Sequence, residues 1–576
     1  MRAAGTHDIG TAERRLATAL IVAAALLRAL YAFRYRVDSD EPQHLHVAWA
    51  WAHGLVQYRD VFDNHMPLFH LLTAPLVRAL GERADIVPVM RLAMIPAYML
   101  VLWCTYRLGR RLYSPRAGWW AAVFTAWLPP FFSCSLEFRA DDLWAPLWLL
   151  TLVVASEGTF SPRRAFLAGV VAGAAIGTSM KTTLLLTTLG IAVVLTLALR
   201  PGRERGARWF AAIGWRVALG AAIIPALIAA AFAAIGAWQP FIYGAIDHNI
   251  VPGIGTWRRG PLYMLTFPAT VAAAAIVAAA LERRTSDVGV ARRRIVLLLA
   301  TAAYGGALAG VWPLITREDY LPFYPMLAVC LAPLLLAPLG RRQVSWVAIA
   351  AVVVEIVALF HEMPPWIDDA NEQRAFVADV LQLTRAEDPV FDYKGESIFR
   401  SRPFFWVFER ITKTRLDRGL IADTVPETLV ATATHVAVHD SRDLSVRTRS
   451  FLDDHYVSVG RLRVAGQRLP CANDAPARFD VAIEGRYRML SDGDPPGNET
   501  AAGRVPVMAD VDGAPSDGGF LSAGSHELRT RHCERGVLLV WAPALERGFV
   551  PLTATAAVDG VAGEVAALGV DKDRRK

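Results

Sequence analysis

The chain has 576 residues, 54% of them hydrophobic, and a formal net charge of +7 at pH 7. Because a water-soluble protein of this size has no core large enough to bury so much apolar surface, the composition excludes a purely soluble enzyme and indicates a protein that faces lipid. The basic residues cluster in short loops between apolar runs, as cytoplasmic loops of membrane proteins do, so we expect no nucleic-acid partner.

Apolar runs fill the chain up to about residue 360 and predict eleven transmembrane helices, since a span needs about 20 apolar residues. The first run has no small-residue cleavage site and reads as a retained helix. The predicted spans are 15–34, 86–107, 117–134, 142–156, 164–180, 182–199, 215–236, 262–281, 295–315, 320–339 and 343–360. We therefore predict a polytopic α-helical domain over 1–360, followed by soluble regions over 361–465 and 466–576.

The distribution of basic residues predicts the orientation. If the N-terminus is cytoplasmic, arginines crowd the loops on that side, within 107–116, 163–164, 200–216, 283–294 and 341–342. The short outer loops carry few cations: Arg139, Lys181, Arg258, Arg259 and Arg317. This bias, with an odd number of spans, predicts residues 361–576 on the periplasmic side of a bacterial inner membrane.

The first outer loop, residues 35–85, is long and mixes aromatic with polar residues, which predicts amphipathic helices on the membrane surface. It begins with Asp38-Ser39-Asp40-Glu41-Pro42-Gln43-His44-Leu45-His46. Carboxylates beside lipid favour a functional site, where they could accept a proton or hold a divalent cation. The alternative is that the acids only cap a helix beginning at Pro42.

Two more acidic motifs fall on the same predicted face. Asp63 and His65 precede Pro67-Leu68, a pattern that also suits a capped amphipathic helix. Glu137-Phe138-Arg139-Ala140-Asp141-Asp142 precedes the fourth span, where the charges could simply pair with one another. Because the topology places all three motifs on one side, we expect Asp40, Asp63 and Asp141 to line one outward-opening cavity.

Outer-face cations suit a phosphate ester whose tail stays in lipid. Lys181 lies between spans five and six, and Arg317 precedes Tyr320 and Tyr324 late in the membrane region. The alternative to phosphate binding is that each side chain only extends its charged end to the membrane interface, and this alternative is favoured for Lys181.

The order of these motifs over about residues 10–400 resembles the C-type glycosyltransferases, in particular the branch of protein O-mannosyltransferases and bacterial lipid A aminoarabinose transferases (glycosyltransferase family 39-like). The resemblance implies inverting transfer of a hexose or pentose from a polyprenyl-phosphate donor, with no nucleotide sugar bound. The acceptor would be a lipid, a glycan or a protein, as in the building of cell-envelope glycans. The metal requirement varies across the superfamily, so none is assigned.

The resemblance also implies roles for individual residues. Asp40 matches the catalytic acid, with Glu41 beside it, and Asp141 matches the second acidic position. Binding of donor or acceptor is implied for Asp63, His65, Arg139, Asp142, Lys181, Arg317 and Tyr320. The chain departs from the family pattern at Asn64-His65-Met66-Pro67 and in doubling the acid at Asp141-Asp142, so the register is open by one residue at both places.

The soluble part is predicted to hold an α/β unit and then a β-sandwich with a disordered C-terminal tail. A helix is expected over Phe376–Leu383, and strands near 389–393, 479–485, 505–511 and 537–541. A sandwich could bind glycan, but it serves more often as a structural or docking module. Cys471 and Cys533 are expected to form a disulfide in an oxidising compartment, the alternative being two free thiols.

Two other function classes compete with a glycosyltransferase. A transporter or flippase of lipid-linked glycans would also be polytopic and need outer-face cations, but it would favour internal repeats and charges near the bilayer midplane. The sequence shows acids at one interface instead. A non-catalytic scaffold presenting the soluble region is the third alternative.

Overall fold

A computed structural model gives the architecture of the chain. It describes residues 9–157, 161–200, 207–255, 260–283, 285–336, 346–438, 444–473, 475–492, 506–531 and 533–552. The predicted outer-loop residues Arg258 and Arg259, the predicted inner-loop segments 201–206 and 341–342, and the tail 553–576 lie outside the described residues.

The membrane part consists of helices α1 to α17. Their bounds are Thr11–Arg34 (α1), Asp40–Ala52 (α2), Leu68–Leu80 (α3), Ile86–Ala93 (α4), Ile95–Leu112 (α5), Pro115–Trp127 (α6), Pro129–Cys134 (α7), Ala140–Ser156 (α8), Pro162–Thr178 (α9), Thr182–Leu199 (α10), Ala207–Ala234 (α11), Trp238–Ala245 (α12), Pro261–Met264 (α13), Thr266–Glu282 (α14), Val288–Gly310 (α15), Phe323–Leu336 (α16) and Trp346–Glu362 (α17).

Each predicted span coincides with one helix or with two consecutive helices, so the polytopic helical fold is confirmed. Among the described residues, five helical stretches are long and apolar enough by themselves to cross a membrane: Thr11–Arg34, Ile86–Leu112, Thr182–Leu199, Ala211–Ala234 and Pro261–Glu282. The count of eleven spans stays a prediction.

Small residues let neighbouring helices approach closely. A Cβ built on Gly169 of α9 would lie 2.3 Å from the Val217 carbonyl oxygen, and one on Gly220 of α11 would lie 2.3 Å from that of Phe166. Any larger residue would push the two backbones apart. Such contacts replace the hydrophobic driving force that is missing between helices in lipid.

The first outer loop forms α2 and α3, but α2 does not lie on a membrane surface. Every residue from Glu41 to Ala50 is buried, so α2 is enclosed rather than amphipathic. One apolar cluster joins residues of α2, α3 and α4 to Val377, Ile398 and Phe399 of the soluble region. The soluble region therefore packs directly on the loop that carries Asp40.

The soluble region contains helices α18 to α22 and strands β1 to β11. The helices are Asn371–Leu383 (α18), Arg410–Asp417 (α19), Val425–Ala431 (α20), Val446–His455 (α21) and Ala542–Glu546 (α22). The strands are Val390–Phe391 (β1), Val436–Val438 (β2), Tyr456–Val459 (β3), Leu462–Leu469 (β4), Ala477–Val481 (β5), Gly485–Ser491 (β6), Ala509–Val511 (β7), Ala514–Ser516 (β8), Gly518–Leu521 (β9), Gly524–Thr530 (β10) and Val537–Trp541 (β11).

These strands form two sheets that share one apolar core. The larger has the order β1-β2-β4-β11-β6-β9 with β3 also paired to β4, and the smaller has the order β5-β10-β7-β8. Among the described strands of this region, β1 and β2 are the one parallel pair. Leu539 of β11 faces Gln467 of β4 and Met489 of β6 across antiparallel ladders. The expected α/β plus sandwich-like architecture is therefore present.

The larger sheet crosses the predicted domain boundary at residue 465. Strand β4 includes that position and pairs with β2 on one side and β11 on the other. The two soluble regions thus share a continuous sheet, and their division into separate domains stays a prediction.

Cys471 and Cys533 are joined by a disulfide, with their Cα atoms 5.5 Å apart. Cys471 follows β4 of the larger sheet and Cys533 follows β10 of the smaller one. The bond therefore links the two sheets of the sandwich.

Candidate active site

Asp40 is the first residue of α2 and lies between two cations. Its Oδ2 is 2.5 Å from Arg139 Nη2, and its Oδ1 accepts a hydrogen bond from Lys394 Nζ. Its side chain is 21% exposed, so the carboxylate is accessible from solvent. Burial raises its pKa, but Arg139, Lys394 and His65 outweigh this effect and hold the pKa well below the usual range.

Arg139 is the centre of the charge cluster. It precedes α8, and its guanidinium is almost fully buried, with 6% exposure. Besides Asp40, it approaches Asp38 at 2.9 Å and Glu137 at 3.5 Å. Arginine suits this position because its planar fork can bind several carboxylates at once.

Lys181 joins a second pair of carboxylates to the cluster. Its Nζ lies 3.0 Å from Asp141 Oδ1 and 2.6 Å from Asp319 Oδ1. Asp141 also lies 3.8 Å from Arg139 Nε. The structure therefore brings Asp40 and Asp141 to the same guanidinium, that of Arg139, and Lys181 joins the cluster through Asp141.

Glu41 does not share this environment. Both of its oxygens accept hydrogen bonds from the buried guanidinium of Arg91, at 2.7 and 2.5 Å, and from the backbone N–H groups of Asp38 and Phe138. Its side chain has no exposed surface. A carboxylate whose lone pairs are all occupied is poorly placed to contact a substrate, so this geometry favours a structural role for Glu41, and its predicted catalytic role stays a prediction.

Asp63 is also fully buried, which contradicts its predicted place on an open cavity. It accepts hydrogen bonds from Gln43 at 2.8 Å, from Gln57 at 2.7 Å and from His65 Nδ1 at 2.9 Å. Desolvation lowers the pKa of His65, but the carboxylates of Asp63, Asp40 and Asp141 together outweigh this effect, so the pKa is raised. Asp63 therefore contacts His65 directly and has no exposed surface of its own.

Among the described residues, the Asp142 side chain has no ion pair with the cations of the site, although the charge of Arg139 acts on it. It is buried in α8, and its strongest attractive charge interaction is with Arg28 of α1, so its predicted role in substrate binding is not supported. Arg317 is exposed and has no ion pair among the described residues. Tyr320 is half-buried and its ring packs against Phe323 and Tyr324.

Sequence reasoning missed several members of the cluster. Asp38, Glu318 and Asp319 stand beside residues that the motifs single out, and only the fold shows that they contact Arg139 or Lys181. No sequence motif pointed to Lys394, because it lies in the soluble region, far along the chain from Asp40. A divalent cation stays an untested expectation; among the described residues no three His, Cys, Asp or Glu side chains are grouped to hold a metal ion.

Comparisons with known proteins bear on the family and the fold of the chain. Residues 65–238 match the family model described as dolichyl-phosphate-mannose-protein mannosyltransferase. The structure of ArnT from Cupriavidus metallidurans in the apo state is 14% identical and has a TM-score of 0.53, covering 78% of this chain and 97% of that chain. The same protein bound to undecaprenyl phosphate gives 14% identity, the same coverage and a TM-score of 0.51.

No curated protein sequence matches the chain significantly. The identity to ArnT is low, so that likeness bears on the fold, which extends over nearly the whole of ArnT. The chain thus matches a family model over residues 65–238 and shares the fold of ArnT over most of its length.

Proposed function

We propose that the protein transfers a hexose or pentose from a polyprenyl-phosphate donor to a hydroxyl group of a lipid, glycan or protein acceptor. The reaction would take place on the outer face of the bacterial inner membrane, where the topology derived from basic residues puts Asp40. The ArnT structure bound to undecaprenyl phosphate supports a donor of this class.

One observation carries the proposal: Asp40, a partly exposed carboxylate, stands among cations at the start of α2, next to helices that are apolar enough to enter a membrane. A base for the acceptor and positive charge for a phosphate are the two groups that sugar transfer from a lipid phosphate needs. Here both occur in one cluster.

The proposed reaction uses these groups as follows. Asp40 takes the proton of the acceptor hydroxyl while its oxygen bonds to the anomeric carbon of the donor. The bond from that carbon to the phosphate oxygen breaks, and polyprenyl phosphate leaves with one more negative charge than it had in the donor. Cations that stabilise this developing charge lower the barrier, and Lys181, Arg317 and His65 are proposed to act in this way.

Transfer of radiolabelled sugar tests the proposal. Purified full-length protein in bilayers is given a polyprenyl-phosphate sugar and a mixture of envelope lipids and glycans, and labelled acceptor is expected. Movement of labelled donor across the bilayer without labelled acceptor would instead indicate a flippase. Neither labelled acceptor nor movement would favour a scaffold.

A further inference from the structure

The soluble region contributes one cation to the charge cluster, from the loop after β1. Lys394 Nζ donates a hydrogen bond to Asp40 Oδ1 and lies 3.4 Å from Ser39 Oγ. The ammonium is largely enclosed, with 13% exposure. A salt bridge between residues so far apart in sequence shows that the soluble region completes this site.

We propose that Lys394 is a phosphate-binding residue that holds Asp40 in the free enzyme and transfers to the donor phosphate when the donor binds, which releases Asp40 to act as a base. This inference rests on the proposed function and extends it to the soluble region. It also assigns that region a part in binding the lipid-linked donor.

The distribution of ion pairs favours Lys394 as the cation that changes partners. Arg139 lies within 4 Å of five carboxylates, those of Asp38, Asp40, Glu137, Asp141 and Glu318. Lys181 is shared between two. Lys394 has one carboxylate partner among the described residues, so of these three paired cations it is the one where a phosphate has least to displace.

The loop that carries Lys394 is held firmly against α2. Asp392 accepts hydrogen bonds from the backbone N–H groups of Gly395 and Ser397, both at 2.9 Å, and pairs with Arg402 at 2.6 Å. His46 of α2 donates from Nδ1 to the Ile398 carbonyl at 3.0 Å. The ammonium can therefore change partners by rotating its own side chain, without movement of the loop.

Glycine is required where this loop touches α2. Gly395 has a φ of 93°, and a Cβ at this position would lie 2.8 Å from the Cβ of His46. Any other residue would separate the loop from the helix and withdraw Lys394 from Asp40. The close approach thus sets the position of the lysine relative to the proposed base.

The exchange resolves a chemical difficulty at Asp40. A carboxylate paired with two cations is a weak base, yet transfer needs Asp40 to take a proton from the acceptor hydroxyl. When Lys394 binds the phosphate, Asp40 loses one cation and becomes more basic. The same ammonium then neutralises the extra negative charge that the phosphate gains as the sugar leaves.

Binding of polyprenyl phosphate to purified full-length protein tests the inference without turnover. Lys394→Met is expected to weaken binding by about ten- to a hundredfold, the range for loss of a charged hydrogen bond, and Lys394→Arg to retain most of it. Arg447→Met, which removes an exposed cation of the soluble region paired with Glu427, is the matched control and should bind as the wild type does.

Asp40→Asn provides the distinguishing measurement. Without the Asp40 charge Lys394 is free for phosphate, so binding should tighten several-fold, and the gain should vanish in Asp40→Asn with Lys394→Met. A gain that persists in the double variant would overturn the exchange, as would wild-type affinity in Lys394→Met. If Lys394→Met fails to fold, Lys394→Gln replaces it. Wild-type protein that binds no polyprenyl phosphate would overturn the proposed donor class as well.

Discussion

Arg139 Nη2 lies 2.5 Å from Asp40 Oδ2, an ion pair that joins the start of α8 to the start of α2. Both carboxylates assigned to the reaction, Asp40 and Asp141, stand in the first turn of a helix, where the helix dipole favours negative charge. The arginine that precedes α8 then brings the two helix ends together.

Asp40→Asn should abolish most turnover. The substitution preserves the size of the side chain but removes the proposed base, so we expect the rate of sugar transfer to fall by roughly a hundredfold or more. Initial rates with radiolabelled donor measure the effect at saturating substrate. The control is Asp60→Asn, in the same outer loop, which removes an acid that pairs with the exposed Arg59. Near-normal turnover in Asp40→Asn would transfer the role to Asp141.

Removing the partner of Glu41 should affect stability rather than chemistry. Arg91→Met leaves the Glu41 carboxylate buried without a counter-ion, which typically costs about 3–5 kcal/mol of the free energy of unfolding. Thermal unfolding in detergent measures this loss. Arg83→Met, which breaks a more exposed pair with Asp85, should cost about 1 kcal/mol or less.

The companion variant Glu41→Gln separates the structural role of Glu41 from a catalytic one. It should lower the unfolding temperature while folded enzyme keeps its turnover. A stable Glu41→Gln protein with a hundredfold lower rate of sugar transfer would show that Glu41 has a catalytic role.

The sequence predicted the helical membrane domain well because lipid requires long apolar runs, which stand out in any chain. It predicted that Asp40 and Asp141 meet because a topology argument needs only the side of the membrane. The sequence did not predict which side chains are buried. Glu41 adjoins Asp40, yet a one-residue step along α2 turns the Glu41 side chain towards Arg91. Sequence spacing does not reveal which neighbour a helical side chain faces until the packing is known.

The sequence also did not predict which residues far apart along the chain meet at the site. Lys394 reaches Asp40 only because the loop after β1 packs on α2. The sandwich strands were predictable from alternating residues, and β11 has the predicted bounds of Val537–Trp541. The pairing of β4 with strands from both sides of residue 465 was not predictable, since strand order depends on contacts across the whole soluble region.

Asp63→Asn should alter the pH dependence of donor binding through His65. Burial lowers the pKa of His65, and the Asp63 charge is the largest of the carboxylate contributions that outweigh it, so loss of that charge lets the pKa fall. His65 would then lose its proton at a lower pH. The apparent KM for the donor should begin to rise at lower pH than in the wild type, whereas maximal turnover changes less.

His65→Gln is the matched control for this pH dependence. It has no titrating imidazole at position 65, so the rise in apparent KM that is assigned to deprotonation of His65 should be absent from its pH profile. Superimposable pH profiles for Asp63→Asn and the wild type would show that Asp63 does not act through His65.

The disulfide tests the location of the soluble region on which the orientation of the site depends. If residues 361–576 lie outside the cytoplasm, Cys471 and Cys533 become oxidised in cells, whereas Cys104, Cys134 and Cys330 stay as thiols. Alkylation of denatured protein should then label those three cysteines before reduction and all 5 afterwards. Replacing both Cys471 and Cys533 by serine should destabilise the soluble region by about 2–4 kcal/mol. A reporter fused after Lys576 that is active only in the cytoplasm would overturn this location, because an odd number of spans would then put both the soluble region and Asp40 on the cytoplasmic side.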